Sequence, residues 1–125
     1  MKILIATDYY LPGYKAGGPI RSIMNMVERL GDEFQFNILT ADRDLGDTNP
    51  YSHIESGVWH AVGKAQVLYL SPSEKRCCHW RRLLKHLDYD VLYLNGCFSR
   101  LTIKTLLLRK LRLIPRVPVI LAPRG

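Results

Sequence analysis

A chain of 125 residues with 47% hydrophobic residues is long enough for one domain with a buried core. This apolar content argues against intrinsic disorder, and no run approaches the roughly 18 apolar residues of a membrane span. The net charge of +7 is uneven, because residues 1–62 carry a balance of −3 and residues 63–125 a balance of +10. The asymmetry indicates either an anionic partner for the second half (nucleic acid, a membrane surface or a phosphorylated substrate) or a compensating acidic region in a longer chain.

The short first apolar run and the pattern of cysteines predict a cytoplasmic protein. The first apolar run, at residues 3–6, is too short for a signal peptide and is soon followed by Asp8. The three cysteines are odd in number and two are adjacent, which argues against a disulfide framework: Cys77, Cys78 and Cys97. No Cys or His cluster has zinc-ligand spacing, so we expect no metal.

In chain order, the first predicted strand is KILIAT at residues 2–7, a short apolar run typical of a strand buried on both faces. A turn-rich loop follows over 8–18. Apolar residues at 20, 23, 24, 27 and 30 then share one face of a helix that Pro19 can start and Gly31 can end. FQFNILT at 34–40 is a second strand, which completes a βαβ unit.

The rest of the chain continues the alternation. After a polar loop over 41–57, the pattern predicts strands at 58–62, 67–70, 91–94 and 117–121, with helices at 74–87 and 98–113. Trp80 is predicted to be a core residue. Helices alternating with apolar strands indicate one α/β domain over residues 1–125, a Rossmann-like parallel sheet with helices on both faces.

Three segments fall at the carboxyl ends of predicted strands, where open parallel sheets bind ligands: 8–18, 95–99 and 123–125. In the first, Gly17 and Gly18 directly precede the helix that starts at Pro19. Glycines let the backbone approach a ligand closely, and the helix N-terminus favours an anion such as a phosphate. The alternative is a plain tight turn into a helix. Neither a dinucleotide fingerprint nor a Walker motif is present.

The other two segments carry polar side chains. Asn95 is placed to hydrogen-bond a substrate hydroxyl, Ser99 to cap the next helix or contact the ligand, and Arg124 to hold a carboxylate or a phosphate. Asp8 is the only carboxylate expected on this edge, so no general acid–base pair is predicted. The basic helix at 98–113 can lie on anionic lipid, but we favour a crossover helix packed on the sheet with a solvated basic rim.

Three stretches resemble the N-terminal half of glycosyltransferase family 4, whose members are retaining enzymes of the GT-B architecture: KILIATDYYLPGYKAGGPIRSI, DVLYLNGCFS and VILAPRG. The resemblance implies that Gly17, Gly18 and Pro19 lie against the donor diphosphate or the acceptor. It implies that Asn95, Phe98 and Ser99 line the acceptor side of a cleft, and we assign Arg124 to the same side.

The resemblance also implies a reaction. A hexosyl group would move with retention from a nucleoside-diphosphate sugar to a hydroxyl acceptor, in polysaccharide or glycolipid synthesis, without a metal or other cofactor. The donor-binding half of such enzymes would follow Gly125, so these 125 residues are expected to be inactive without that C-terminal partner domain. Contact with the inner face of the membrane is compatible with this role, whereas nucleic acid is not expected.

Two other interpretations remain open. The chain could be a stand-alone basic α/β module that binds an anionic membrane surface or nucleic acid. It could also be a small nucleotide enzyme complete in itself, with Asp42 as the nearest candidate for a ribose-binding carboxylate. The donor sugar, the nucleotide, the acceptor and the oligomeric state do not follow from the sequence.

Overall fold

The computed structural model describes residues 1–96 and 99–122, apart from the side chain of Cys77. Within these ranges the chain forms six strands and three helices. In chain order they are β1 (Lys2–Ala6), α1 (Gly18–Leu30), β2 (Gln35–Ala41), β3 (Trp59–Val62), β4 (Ala65–Leu70), α2 (Cys77–His86), β5 (Val91–Asn95), α3 (Arg100–Lys110) and β6 (Val119–Ala122).

The strands form one sheet in the order β3-β4-β2-β1-β5-β6. Four of the five neighbouring pairs are parallel, and β3 runs antiparallel to β4. The predicted parallel sheet therefore has one exception among the described strands, the antiparallel edge strand β3. Val62 pairs with Ala65, so only Gly63 and Lys64 join the two strands. Two residues suffice for a hairpin, whereas a parallel connection needs a crossover of a dozen residues or more.

The two faces of the sheet carry separate cores, because successive side chains of a strand point to opposite faces. One cluster includes Ile5, Ile38 and Val67 from the strands, and α1 packs on it through Ile20, Ile23 and Val27. The other includes Leu4, Leu39 and Leu68, and α2 and α3 pack on it through Trp80, Leu84, Leu101 and Leu108. The Rossmann-like α/β fold with helices on both faces is confirmed.

Trp80 is the largest fully buried side chain of the described residues, as predicted for the core. Its indole N–H donates to the hydroxyl of Thr105 at 2.8 Å, which joins α2 to α3 and satisfies the one polar atom of the ring. Burial of such a side chain contributes about 3 kcal/mol. The pair therefore fixes how the two helices lie on this face.

Two helices begin later than the sequence predicts. Before α2, the Glu74 carboxylate accepts hydrogen bonds from the backbone N–H and the hydroxyl of Ser71, at 3.1 and 3.0 Å, and this turn delays the helix to Cys77. Before α3, Ser99 is the N-cap, so the helix starts at Arg100. Among the described residues, no helix combines the length and the apolar character needed to cross a bilayer.

The order of the strands reverses between β1 and β5, because β2 lies on the far side of β1 and β6 on the far side of β5. These neighbours pair in parallel, but β1 leads into α1 on one face and β5 into α3 on the opposite face. The two connections diverge at the carboxyl edge and leave a crevice between them. This is the position at which doubly wound sheets bind their ligands.

Candidate binding crevice

A cavity of about 270 Å³ lies at the carboxyl ends of β1 and β5. The segments that follow β1 and β5, the end of β5 and the first turn of α1 contribute to its lining, which consists of Thr7, Asp8, Tyr9, Ala16, Pro19, Asn95, Gly96 and Ser99. Its volume is near the lower limit of ordinary ligand sites, roughly 300 Å³. The crevice therefore suits one small polar group. The structure brings three of the predicted residues together here, namely Pro19, Asn95 and Ser99.

Asn95 joins the two walls. It is the last residue of β5 and only 5% exposed, and its side-chain N–H donates to the hydroxyl of Thr7 at 3.3 Å. The Thr7 hydroxyl in turn donates to the backbone oxygen of Tyr9, also at 3.3 Å. The predicted position of Asn95 at a strand end is confirmed. Its contact with a substrate hydroxyl stays a prediction.

Ser99 has two roles in the structure. Its hydroxyl oxygen accepts from the backbone N–H of Leu101 at 3.2 Å, which confirms the predicted cap of α3. The same hydroxyl donates to Asp8 Oδ1 at 2.9 Å. This second bond orients the Asp8 carboxylate at the mouth of the crevice, where its other oxygen can accept from a ligand.

The glycine pair lies beside the crevice. Gly17 has φ +73° and ψ −122°, a backbone conformation that residues with a Cβ atom rarely adopt. Gly18 starts α1, and a Cβ on either glycine would meet nothing within 4 Å. Both are exposed and line a neighbouring cavity of about 530 Å³ with Leu11, Gly13, Tyr14, Ile20, Arg21 and Met24. Only Gly17 is thus required by the local backbone.

Asp44, which the sequence analysis did not single out, holds the loop over residues 8–18 that contains the two glycines. The Asp44 carboxylate is 4% exposed and accepts from the backbone N–H groups of Tyr14, Lys15 and Leu45, at 3.0, 3.2 and 2.8 Å. Burial alone would raise the pKa of Asp44, but these three hydrogen bonds outweigh it and the pKa is lowered. The charged form of Asp44 therefore stabilises the folded loop.

Asp42 and Asp44 follow β2 at the same edge as Asp8, so the prediction of a single carboxylate there is wrong. The readable signal was the pair of acids immediately after the strand. Asp42 is 3% exposed; its Oδ1 accepts from Arg43 Nε at 2.8 Å and its Oδ2 from the Ser56 hydroxyl at 2.7 Å. Burial opposes ionisation, but these partners lower the pKa of Asp42. Both oxygens are thus engaged within the chain, which weakens the ribose-binding interpretation.

Two predicted site residues, Phe98 and Arg124, lie outside the described residues, and their roles stay predictions. Across residues 1–96 and 99–122, no three His, Cys, Asp or Glu side chains gather where they could hold a metal ion. The polar groups of the described site are amide, hydroxyl, carboxylate and backbone groups, set beside the apolar Ala16 and Pro19.

Comparison of the chain with protein-family models, with curated proteins and with solved structures found no match. The geometry of the crevice is therefore the principal observation from which a function can be argued. The resemblance of the three short stretches stands beside it as an interpretation of motifs.

Proposed function

We propose that this chain is the acceptor-side domain of a retaining glycosyltransferase of family 4 and the GT-B type. The enzyme would transfer a hexosyl group from a nucleoside-diphosphate sugar to a hydroxyl acceptor in polysaccharide or glycolipid synthesis. The crevice between β1 and β5 carries the proposal, because its polar groups converge at the edge where such sheets bind ligands.

The lining of the crevice matches a hydroxyl-rich ligand. A sugar hydroxyl both donates and accepts, so it is best bound by groups that offer both roles. The Asp8 carboxylate accepts, the Asn95 amide donates and accepts, and the Ser99 hydroxyl holds Asp8 in place at 2.9 Å. In this proposal Asp8 accepts a hydrogen bond from the acceptor hydroxyl and orients its oxygen toward the sugar to be transferred.

The glycine pair would face the donor. The N-terminus of α1 carries partial positive charge, has no side-chain cap and no acidic residue in its first turn, and is open at Gly17 and Gly18. A diphosphate fits such a position. The nucleotide itself would be held by the C-terminal partner domain that the family resemblance implies.

Transfer should be assayed with the polypeptide encoded by the whole reading frame, using UDP- and GDP-hexoses with saccharide and glycolipid acceptors. We expect Gly18→Val to abolish transfer and to leave the fold intact, because the added side chain would occupy open space that a ligand needs. We expect Asp8→Asn to lower kcat at least tenfold, since it replaces the charged acceptor of the hydroxyl.

Asp88→Asn is the matched control, because Asp88 is exposed and pairs with Lys2 at the opposite end of β1. Its kcat should equal that of the parent. If no nucleotide sugar is consumed with any acceptor, or if Gly18→Val and Asp8→Asn transfer normally, the proposal is wrong.

A second candidate function rests on the outer face of α3. Beside the predicted solvated basic rim, Ile103 and Leu107 of α3 and its C-cap Leu111 are 49, 55 and 65% exposed. Lys110, which is also exposed, lies on the same helix. Exposed apolar and basic residues together favour contact with an anionic membrane, at its inner face if the protein is cytoplasmic.

Cosedimentation with phosphatidylserine vesicles tests this second function. It predicts binding that weakens with salt and is reduced by Leu107→Ser, with Leu45→Ser, an exposed leucine outside α3, as the control. Equal binding by both variants would exclude α3 as the contact, and binding to oligonucleotides instead would favour the nucleic-acid alternative.

A further inference from the structure

A third cavity, of about 470 Å³, adjoins the crevice and shares Asp8, Tyr9 and Ser99 with it. We call it the basic pocket, after four cationic side chains in its lining: Lys75, Arg76, Arg100 and Lys104. Pro72 and Leu101 complete the wall. Asp8, at the boundary with the crevice, is the one carboxylate among the described lining residues.

The turn before α2 and the first turns of α3 bring these cations together. Ser71 and Glu74 close the turn that places Lys75 and Arg76 just ahead of α2. The Lys104 ammonium then donates to the backbone oxygen of Lys75 at 2.6 Å, which ties α3 to that turn. The basic pocket is therefore a built feature of the α2–α3 packing.

Across residues 1–96 and 99–122, the cations of the basic pocket form no ion pair within 4 Å. Among the described residues, no ion pair involves a lysine or arginine between positions 75 and 116. Lys75 is half-buried, and burial lowers its pKa; Asp8 and Asp42 oppose this change, and Arg43 and Lys104 add to it. Its charged form is thus less stable than in water, and a bound anion would restore that stability.

The two helices add to the positive potential. Both α2 and α3 begin at this edge, and neither has an acidic residue in its first turn. Helix N-termini carry partial positive charge, which acts in the same direction as the four side chains. The guanidinium groups of Arg76 and Arg100 are exposed and can form paired hydrogen bonds with a phosphate.

We propose that the basic pocket binds a phosphate group carried by the acceptor, while the neighbouring crevice receives the acceptor's hydroxyl. The assignment of the phosphate to an acceptor rests on the proposed function, but phosphate binding itself does not. Asp8 separates the two cavities. In the crevice no lysine or arginine of the described lining offsets its charge, whereas four cations do so in the basic pocket, so a phosphorylated acceptor lies with its phosphate in the basic pocket and its hydroxyl in the crevice.

The first test is titration of the ¹⁵N-labelled chain with inorganic phosphate at constant ionic strength, followed by amide chemical shifts. We expect saturable shifts around residues 75, 76, 100 and 104. Lys75→Gln should weaken binding about tenfold, the effect of losing one charged hydrogen bond. Lys110→Gln, an equal charge change on an exposed residue outside the basic pocket, should change the affinity less than twofold.

Two further arms separate the sources of the phosphate. Saturation by glycerol 3-phosphate indicates a soluble phosphoester, whereas a response only to phosphatidylcholine vesicles containing phosphatidic acid indicates a lipid headgroup. Either response supports the proposal if Lys75→Gln weakens it. Arg100→Gln, at an exposed position, provides the same test should Lys75→Gln fail to fold.

The absence of a response to all three ligands, or equal weakening of inorganic phosphate binding by the Lys75→Gln and Lys110→Gln variants, would overturn the proposal. Its failure is distinct from failure of the proposed function. Sugar transfer without phosphate binding would contradict only the proposed phosphate site. Phosphate binding without sugar transfer would contradict only the proposed glycosyltransferase activity.

Discussion

The loop after β2 and the basic pocket lie at the same edge of the sheet, but they differ in whether their charged side chains have partners within the chain. In the loop, Asp42 accepts from Arg43 and Ser56, and Asp44 accepts from three backbone N–H groups. In the basic pocket, Lys75 and Arg100 have no ion-pair partner among the described residues. The contrast suggests that the first set of charges holds the backbone in place and the second is available to an external ion.

The largest expected effect comes from Asp44→Ala. Three backbone N–H groups would lose a buried charged acceptor, so we expect the free energy of unfolding to fall by about 2–3 kcal/mol. Urea denaturation measures it. Asp47→Ala is the control, because the Lys15–Asp47 pair is exposed and screened by solvent and should contribute little to stability. Equal losses in the two variants would contradict a specific role for Asp44.

Acid should produce a smaller loss through the same group. The pKa of Asp44 is lowered in the folded state, so its contribution is complete above the ordinary value of 3.8 and is lost as the pH falls through the folded pKa. The loss should be smaller than in Asp44→Ala, because a protonated carboxyl still offers an oxygen to the loop. Denaturation between pH 5 and 2 measures it, and Asp44→Asn should flatten the dependence.

In the basic pocket, removal of the Lys75 charge should hardly change the free energy of unfolding. Lys75→Met keeps the apolar stem and removes a half-buried ammonium group that has no ion pair with any described residue, so we expect stability to change by no more than about 0.5 kcal/mol or to rise. Thermal unfolding beside Lys110→Met provides the comparison. A loss above about 1 kcal/mol would show that Lys75 is structural, and the contrast between the two regions would disappear.

Much of the fold could be predicted, because strands buried on both faces have a recognisable pattern of consecutive apolar residues. Leu4 and Ile5 face different helices, and the apolar runs show that both faces are covered. The hairpin was missed because the prediction began β4 at residue 67. With β4 starting at Ala65, only two residues separate it from β3, which is a hairpin spacing.

The site was only partly predictable. Asn95 and Ser99 follow a recognisable strand, so their positions at its end could be inferred. Asp44 contacts backbone N–H groups about thirty residues away, and that contact depends on the path of the chain. Likewise the charge excess was visible, but the meeting of Lys75 with Lys104 depends on how α2 and α3 pack.

The switch between β1 and β5 has a consequence for how specificity can change. The wall that includes Pro19 belongs to α1 and rests on one core, whereas the wall that includes Ser99 belongs to α3 and rests on the other. Substitutions with separate packing partners usually have additive effects. Core substitutions beneath one wall can therefore shift that wall without repacking the other core, whereas Asn95 and Ser99, which hydrogen-bond to Thr7 and Asp8, couple the two walls at the ligand.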